Sequence, residues 1–357
     1  MKFSISTPLN AAGETPDISR IFYYDILNVV ATFGVVSMHF NGLTHSYSNT
    51  FAWKQALFID CIFYWAVPIF FMLTGATLLG YRSKYDTRTF LRKRLIRTFI
   101  PFITWSCIAL IWKIATNQMP APVGPRSTIS LILNTQIIDV YWFFIPLFGI
   151  YLSIPLLSLL TDRKRELWFT VIVAFALNVF APSVMKAVGI NLNSFLSLPV
   201  LGGYLIYVVL GYLLKDCYIS SKARIALYLC GIAGVAVRYF GTIICSINEN
   251  QLVQSTWGYT NLPCFFESIA VFVLVKNINW NHLIPNVAVR QLITKLSSCS
   301  FGVYLIHMIV FWYGLLLTGL NGGDLIWRTA GPIVAYVVCI FIVTLFKRIP
   351  FIRRLLP

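Results

Sequence analysis

The sequence predicts an all-α polytopic membrane protein, a bundle of about ten transmembrane helices with both termini cytoplasmic. Three observations predict it. Hydrophobic residues make up 58% of the 357 positions and charged residues 11%, where soluble domains run near 25% charged; the mean hydropathy is +0.76. Runs approaching the ~20 apolar residues needed to cross a bilayer recur along the chain. Basic residues gather in alternate connections, as they do on the cytoplasmic side of membrane proteins. With 21 Gly and 16 Pro the chain is neither collagen-like nor low-complexity, and so much apolar sequence excludes disorder.

In order, the spans fall at 22–41, 57–80, 97–115, 140–160, 167–185, 198–214, 225–246, 259–277, 299–319 and 328–346. Before the first, the residues are polar, include Pro8 and Pro16, and lack the basic-then-apolar layout of a cleavable signal. Residues 1–19 therefore read as a cytoplasmic tail and the first span as a retained anchor. The second and third spans are joined by a stretch holding seven basic residues between Arg82 and Arg97, with Pro101 just beyond. The longest non-spanning stretches are 41–56, 116–139 and 278–298; Pro120, Pro122, Gly124 and Pro125 make 116–139 an external loop. Arg163, Lys164 and Arg165 separate the fourth span from the fifth, and Lys215, Lys222 and Arg224 the sixth from the seventh. Lys276, Arg290 and Lys295 lie between the eighth and ninth; Lys347, Arg348, Arg353 and Arg354 follow the tenth. No internal repeat, linker or soluble module interrupts 20–357, which reads as one membrane domain.

With the N-terminus inside, 22 of the 28 Lys and Arg fall in cytoplasmic segments. Only Lys54, Lys113, Arg126, Lys186, Arg238 and Arg328 lie elsewhere. This asymmetry sets the orientation and accounts for the formal net charge of +16 without any nucleic-acid partner. The eight cysteines are scattered, with no CxxC and no Cys/His cluster. They behave as small hydrophobes, and neither a disulfide framework nor a metal is assigned.

Ionisable groups inside spans are costly and are functional candidates by default. In the first span Asp25, Asn28, Thr32 and His39 point at 0°, 300°, 340° and 320° on a helix turning 100° per residue. This wedge of about 60° is polar, while Ile26, Leu27, Val29, Val30, Phe33, Val35, Val36 and Met38 cover the other faces. Such a stripe faces the bundle interior or a wet cavity. Interhelical hydrogen bonding explains Thr32 well enough. His39 can carry a proton near neutral pH, and the amide of Asn28 on the same face can position a carbonyl or orient a ring.

Arg92, Lys93, Arg94 and Arg97 exceed what a topology signal needs. Guanidinium groups bind phosphates bidentately, so this mouth suits a polyphosphorylated cytoplasmic molecule. In a full helix Arg92 and Arg94 are about 200° apart, whereas Arg94 and Arg97 share a face; an extended or frayed segment lets Arg92 and Arg94 converge instead. Glu267 and Arg238 are placed to pair with each other. Asp60 and Asp139 sit near outer helix ends, where water is available, and His307 is divided between core hydrogen bonding and function. Trp53, Trp142, Trp257 and Trp327 fit an interfacial aromatic belt, and outer aromatics also suit sugar stacking.

Several runs resemble the membrane-bound acyltransferase 3 family. They are Tyr24-Asp25-Ile26-Leu27-Asn28-Val29-Val30-Ala31 with Val36-Ser37-Met38-His39, then Val67-Pro68-Ile69-Phe70-Phe71-Met72-Leu73-Thr74-Gly75. Arg92-Lys93-Arg94-Leu95-Ile96-Arg97 with Ile100-Pro101-Phe102 follows, then Tyr141-Trp142-Phe143-Phe144 and Ile154-Pro155-Leu156-Leu157. Ser300-Phe301-Gly302-Val303-Tyr304-Leu305-Ile306-His307 comes last. Each alone is a weak string; together, in the family's order from about residue 20 to the C-terminus, they are specific. The chain looks most like the short members that modify exopolysaccharides or other surface glycans and lack an esterase-like domain.

The resemblance implies ten or so spans in the cell membrane and transfer of an acyl group, usually acetyl. The donor is cytoplasmic acyl-CoA and the acceptor a hydroxyl of an extracytoplasmic glycan or its lipid-linked precursor. It maps the family's essential histidine onto His39 and its Arg-x-Arg onto Arg92 and Arg94, with Lys93 and Arg97 in the same donor-binding cluster. Two positions depart: Asn28 stands where an arginine is usual, and Thr74 where a serine is. The competing function is a glycan-lipid flippase or other multi-pass transporter, which also wants a polar cavity and basic inner loops. Transporters often show inverted repeats, and no such symmetry is visible. The sequence carries no signal for oligomeric state.

Overall fold

The computed structural model describes residues 21–356 apart from 191, 194 and 195; the expected tail 1–19 lies outside the described residues. These are helical, with no strand among them. In chain order the helices are α1 Phe22–Phe40, α2 Phe51–Phe63, α3 Ala66–Leu78, α4 Thr87–Arg94, α5 Ile100–Ala115, α6 Gly124–Leu133, α7 Phe144–Leu157 and α8 Lys164–Phe175. They continue with α9 Ala181–Ala187, α10 Leu205–Asp216, α11 Ser221–Glu249, α12 Leu262–Asn277, α13 Trp280–Leu283, α14 Val287–Thr318, α15 Leu325–Phe346 and α16 Pro350–Arg353. Helix is the element that satisfies every backbone polar group within one segment in lipid.

Among the described residues seven helical stretches are long and apolar enough to cross a membrane: 51–83, 87–115, 139–160, 164–187, 221–249, 287–318 and 325–346. The protein is a multi-pass membrane protein. Helices also occupy the other three expected positions. α10 is 12 residues long and α12 is 16, short of the ~20 of a full span. α1 is 19 residues long but carries Asp25, Asn28 and His39, which keep it out of the apolar group. It sits centrally, against α14, α3, α15, α2 and α12.

All three of the longest expected loops are partly helix, 41–56 through the start of α2 at Phe51. Asn286 caps α14 by accepting the Ala288 amide at 2.8 Å, so that helix starts well before its apolar run. In 116–139, Gly124 at φ +79° turns the chain and Pro125 stands in the first turn of α6, a position that suits its missing N–H. Two π-helical segments, Leu95–Phe99 and Ala176–Phe180, interrupt α4–α5 and α8–α9. Each lies just before a proline, Pro101 or Pro182, whose missing N–H leaves a carbonyl one turn back unpaired and loosens the winding there.

Close helix approach depends on small residues. Where α3 crosses α10, a Cβ on Gly75 would fall on the backbone of Val208, and one on Gly211 on the backbone of Met72. Leu152, Phe169, Ile172, Ile232, Val334 and Phe341 point outward, apolar surface suited to lipid. All eight cysteines are free thiols, and among the described residues no group of three or more His, Cys, Asp or Glu gathers as a metal site would.

Candidate active site

The polar stripe of α1 faces α14. Asn28 Nδ2 donates to the Ser297 carbonyl at 3.0 Å and to Ser297 Oγ at 3.1 Å, and Thr294 Oγ1 donates to Asp25 Oδ2 at 3.1 Å. Thr32 bonds backward, to the Asn28 carbonyl at 2.7 Å. Between the helices lies a cavity of about 620 Å³. Asn28, Ser297, Ser298 and Lys347 line one end; His39, His45, Asp60 and Trp257 line the other. The two sequence candidates on α1, His39 and Asn28, share this cavity but stand 11 residues apart, about 16 Å along the helix, so Asn28 does not touch His39.

A second chamber of about 340 Å³ adjoins the first and shares Asn28, Phe70, Phe143 and Ser297 with it. The Asn28–Ser297 bond therefore lies on the boundary between them. Arg94 and Tyr151 line this second chamber. The Arg94 guanidinium lies 5.8 Å from the Phe90 ring and 5.7 Å from Tyr151, and its Nε is buried without a hydrogen-bond partner among the described residues.

The other cations of the cluster stay out. Arg92 and Arg97 are exposed, and Lys93 Nζ rests 3.9 Å from the Tyr85 ring centroid. The segment is neither extended nor frayed, because α4 runs through Arg94, so Arg92 and Arg94 do not converge. Arg94 lines the chamber, whereas Arg97, within the π segment that begins at Leu95, is exposed.

His39 has a neighbour that sequence reasoning left undecided. The His307 ring centroid is 5.2 Å from that of His39, tilted by 33°. His307 is fully buried; its Nδ1 lies 2.7 Å from the Tyr304 carbonyl, and a carbonyl can only accept, so the proton is on Nδ1. Nε2 then carries a lone pair, buried and without a donor among the described residues. Two hydroxyls lock this part of α14 to the turn before α7: Tyr141 donates to the Leu305 carbonyl at 2.7 Å and Tyr304 to the Val140 carbonyl.

The intramembrane charges pair differently from expectation. Arg238 Nη2 donates to Asp60 Oδ2 at 2.6 Å, not to Glu267. Asp60 is 4% exposed rather than water-bathed, because α11 packs its arginine directly over α2. Both Glu267 oxygens are buried without a partner among the described residues. Asp139 is exposed, as expected.

A family model described as an acyltransferase domain matches residues 21–347. The chain belongs to the acyltransferase 3 family. No curated protein and no solved structure matches it. As a membrane acyltransferase, it places the family-like second-span run at the α3–α10 crossing through Gly75, with Thr74 Oγ1 donating to the Phe70 carbonyl at 2.8 Å. It also adds cavity residues that sequence reasoning missed. Lys347 lines the Asn28 end and donates to the Ser298 carbonyl at 2.7 Å; Ser297 and Ser298 lay in an expected loop. Ser300 Oγ is buried without a partner among the described residues and lines the same cavity. Ser297, Ser298 and Ser300 do carry a sequence signal, a cluster of hydroxyls at the entrance to an apolar run.

Proposed function

We propose that this acyltransferase moves an acyl group, usually acetyl in its family, from cytoplasmic acyl-CoA to a hydroxyl of an extracytoplasmic glycan or lipid-linked glycan in the cell membrane. The observation that carries this reading is the pair of adjoining chambers, with Arg94 lining one and His39 the other. The Arg94 side faces the cytoplasm, with both termini, as the 22-of-28 basic asymmetry supports. The ten expected helix positions then cross or enter the bilayer.

In this reading the CoA phosphates bind the guanidinium of Arg94, with the exposed Arg92, Lys93 and Arg97 drawing the anion to the mouth. The pantetheine arm passes the boundary at Asn28 and Ser297, where amide and hydroxyl groups match its own amides, and brings the thioester to His39. A neutral His39 ring nitrogen takes the proton of the acceptor hydroxyl. The oxygen attacks the thioester carbonyl, the C–S bond breaks, and the proton passes to the departing CoA thiolate. If the imidazole is acylated first, a C–N bond forms as the C–S bond breaks and the thiolate takes the ring proton; the acceptor oxygen then displaces the imidazole, C–O replacing C–N, and the hydroxyl proton returns to the ring. Donor and acceptor enter from opposite ends, so neither crosses the membrane.

Membranes carrying the protein, given acetyl-CoA labelled in the acetyl group, are expected to place label on surface glycan, read by mass spectrometry as O-acetyl ester. Glycan relocated without label is the result for a flippase and overturns the proposal.

A further inference from the structure

The His39 end of the cavity holds a carboxyl side chain that the transfer step does not use. Asp60, on α2, lines the cavity; one of its oxygens takes the Arg238 bond, and the other makes no hydrogen bond among the described residues. Arg238 cannot turn away. It is fully buried, with its guanidinium carbon 3.1 Å from the Tyr64 ring centroid and 4.8 Å from that of Trp257. Paired with a permanent cation, the Asp60 carboxylate is an acceptor only. Its second oxygen can accept from a hydroxyl donor and offers no hydrogen bond to a second carboxylate or a phosphate. Beside it Trp142, Tyr259 and Tyr64 stack in succession, at 5.6 and 4.4 Å between centroids. Both faces of Tyr259 and of Tyr64 are covered within this column, which holds Arg238, and through it Asp60, rigidly at the cavity wall.

We propose that Asp60 is a specificity residue of the acceptor subsite. It accepts a hydrogen bond from a hydroxyl of the acceptor sugar other than the one acylated at His39, and so selects neutral hexopyranosides over uronic acids and phosphosugars. This inference rests on the glycan reading above and names the acceptor class of that same site.

The test uses the purified full-length protein with acetyl-CoA and a panel of methyl glycosides: glucoside, galactoside, mannoside, their monodeoxy analogues, and glucuronide. The parent is expected to acetylate at least one neutral glycoside, with the glucuronide at least 10-fold poorer. One monodeoxy analogue lacking a hydroxyl away from the acetylated position should show an acceptor KM raised at least 10-fold. Asp60→Asn keeps an oxygen for Arg238 but replaces the free oxygen with a donor. Its acceptor KM should rise at least 10-fold with the acetyl-CoA KM unchanged, and its discrimination against that deoxy analogue should vanish. Trp257→Phe leaves the ion pair intact and should raise the acceptor KM alone, by a few fold; if Asp60→Asn does not fold, this variant and the parent's own deoxy series decide. Equal use of glucuronide and glucoside, or no deoxy analogue that weakens binding, overturns the subsite. So does an Asp60→Asn acceptor KM like the parent's. A parent that acetylates none of the glycosides overturns the glycan reading itself.

Discussion

At the His39 end of the cavity the ionic and aromatic groups are held by protein: Asp60 by Arg238, Arg238 by Tyr64, His307 by the Tyr304 carbonyl. At the Arg94 end the cluster's cations rest on aromatic rings or in solvent, and of Arg92, Lys93, Arg94 and Arg97 it is Arg94 that lines the second chamber. The two ends face different demands. Bond making needs reacting groups fixed at near-attack separations, with groups packed around them to hold the geometry. Capturing a polyanion needs charge at an open mouth, and a precise rotamer adds little. Substitutions at the two ends should therefore separate kcat from donor KM.

The largest effect is expected at His39. His39→Ala should lower kcat by about 10²–10⁴-fold, the scale of general acid–base catalysis. Membrane insertion should persist, since no hydrogen bond ties its ring among the described residues. Labelled glycan per unit of inserted protein measures it, and near-parental labelling would falsify the assignment. His307→Ala should lower kcat less, by about 10-fold, as loss of a neighbour that orients the base rather than of the base itself, with Gln restoring part; an altered acetyl-CoA KM would move His307 to the donor end.

Arg94→Ala is expected to raise the acetyl-CoA KM by about 10–100-fold, the equivalent of one charge-assisted hydrogen bond at 1.5–3 kcal/mol, with little change in kcat. Arg94→Lys should recover only part, because a point charge loses the planar fork. Arg92→Ala and Arg97→Ala, both exposed, should each stay within about 3-fold, as surface charges do. Titration calorimetry with acetyl-CoA ranks the four; equal losses for Arg92, Arg94 and Arg97 would erase the distinction between chamber and mouth.

The boundary between the chambers should show a smaller effect, shared between two residues. Asn28→Ala removes both bonds of the contact and Ser297→Ala the one to Oγ, so each should cost roughly 2–10-fold in kcat/KM, the scale of a neutral hydrogen bond. The double variant should cost about as much as the worse single one. Strict additivity of the two would separate them. The smallest perturbation concerns orientation alone: in a cysteine-free background, Gly124→Cys should react with an impermeant thiol reagent on intact cells and Asp86→Cys should not. The reverse pattern inverts the protein in the membrane.

The sequence carried the stripe on α1 because its polar residues repeat at helical spacing, and α14 receives two of them, Asp25 and Asn28, as polar partners. Helix positions were readable from apolar runs. Their ends were not, since Asn286 caps α14 well before its apolar stretch. Ser297 and Ser298 were missed for that reason: they looked like loop. The ion pair was misassigned because Asp60, Arg238 and Glu267 lie on three helices, and periodicity says nothing about which helices adjoin. Arg94 could not be separated from Arg92 and Arg97, because a run of basic residues does not show which of them lines a chamber.

The central claim is that donor and acceptor meet at His39 from opposite ends of one cavity. Proteoliposomes with the protein in a single orientation, acetyl-labelled acetyl-CoA on one side and a soluble methyl glycoside acceptor on the other, test it directly. Labelled ester should form when acetyl-CoA is on the side bearing 81–97 and the glycoside is opposite, with no label in His39→Ala vesicles. Ester that forms only when both substrates share a side would contradict the account.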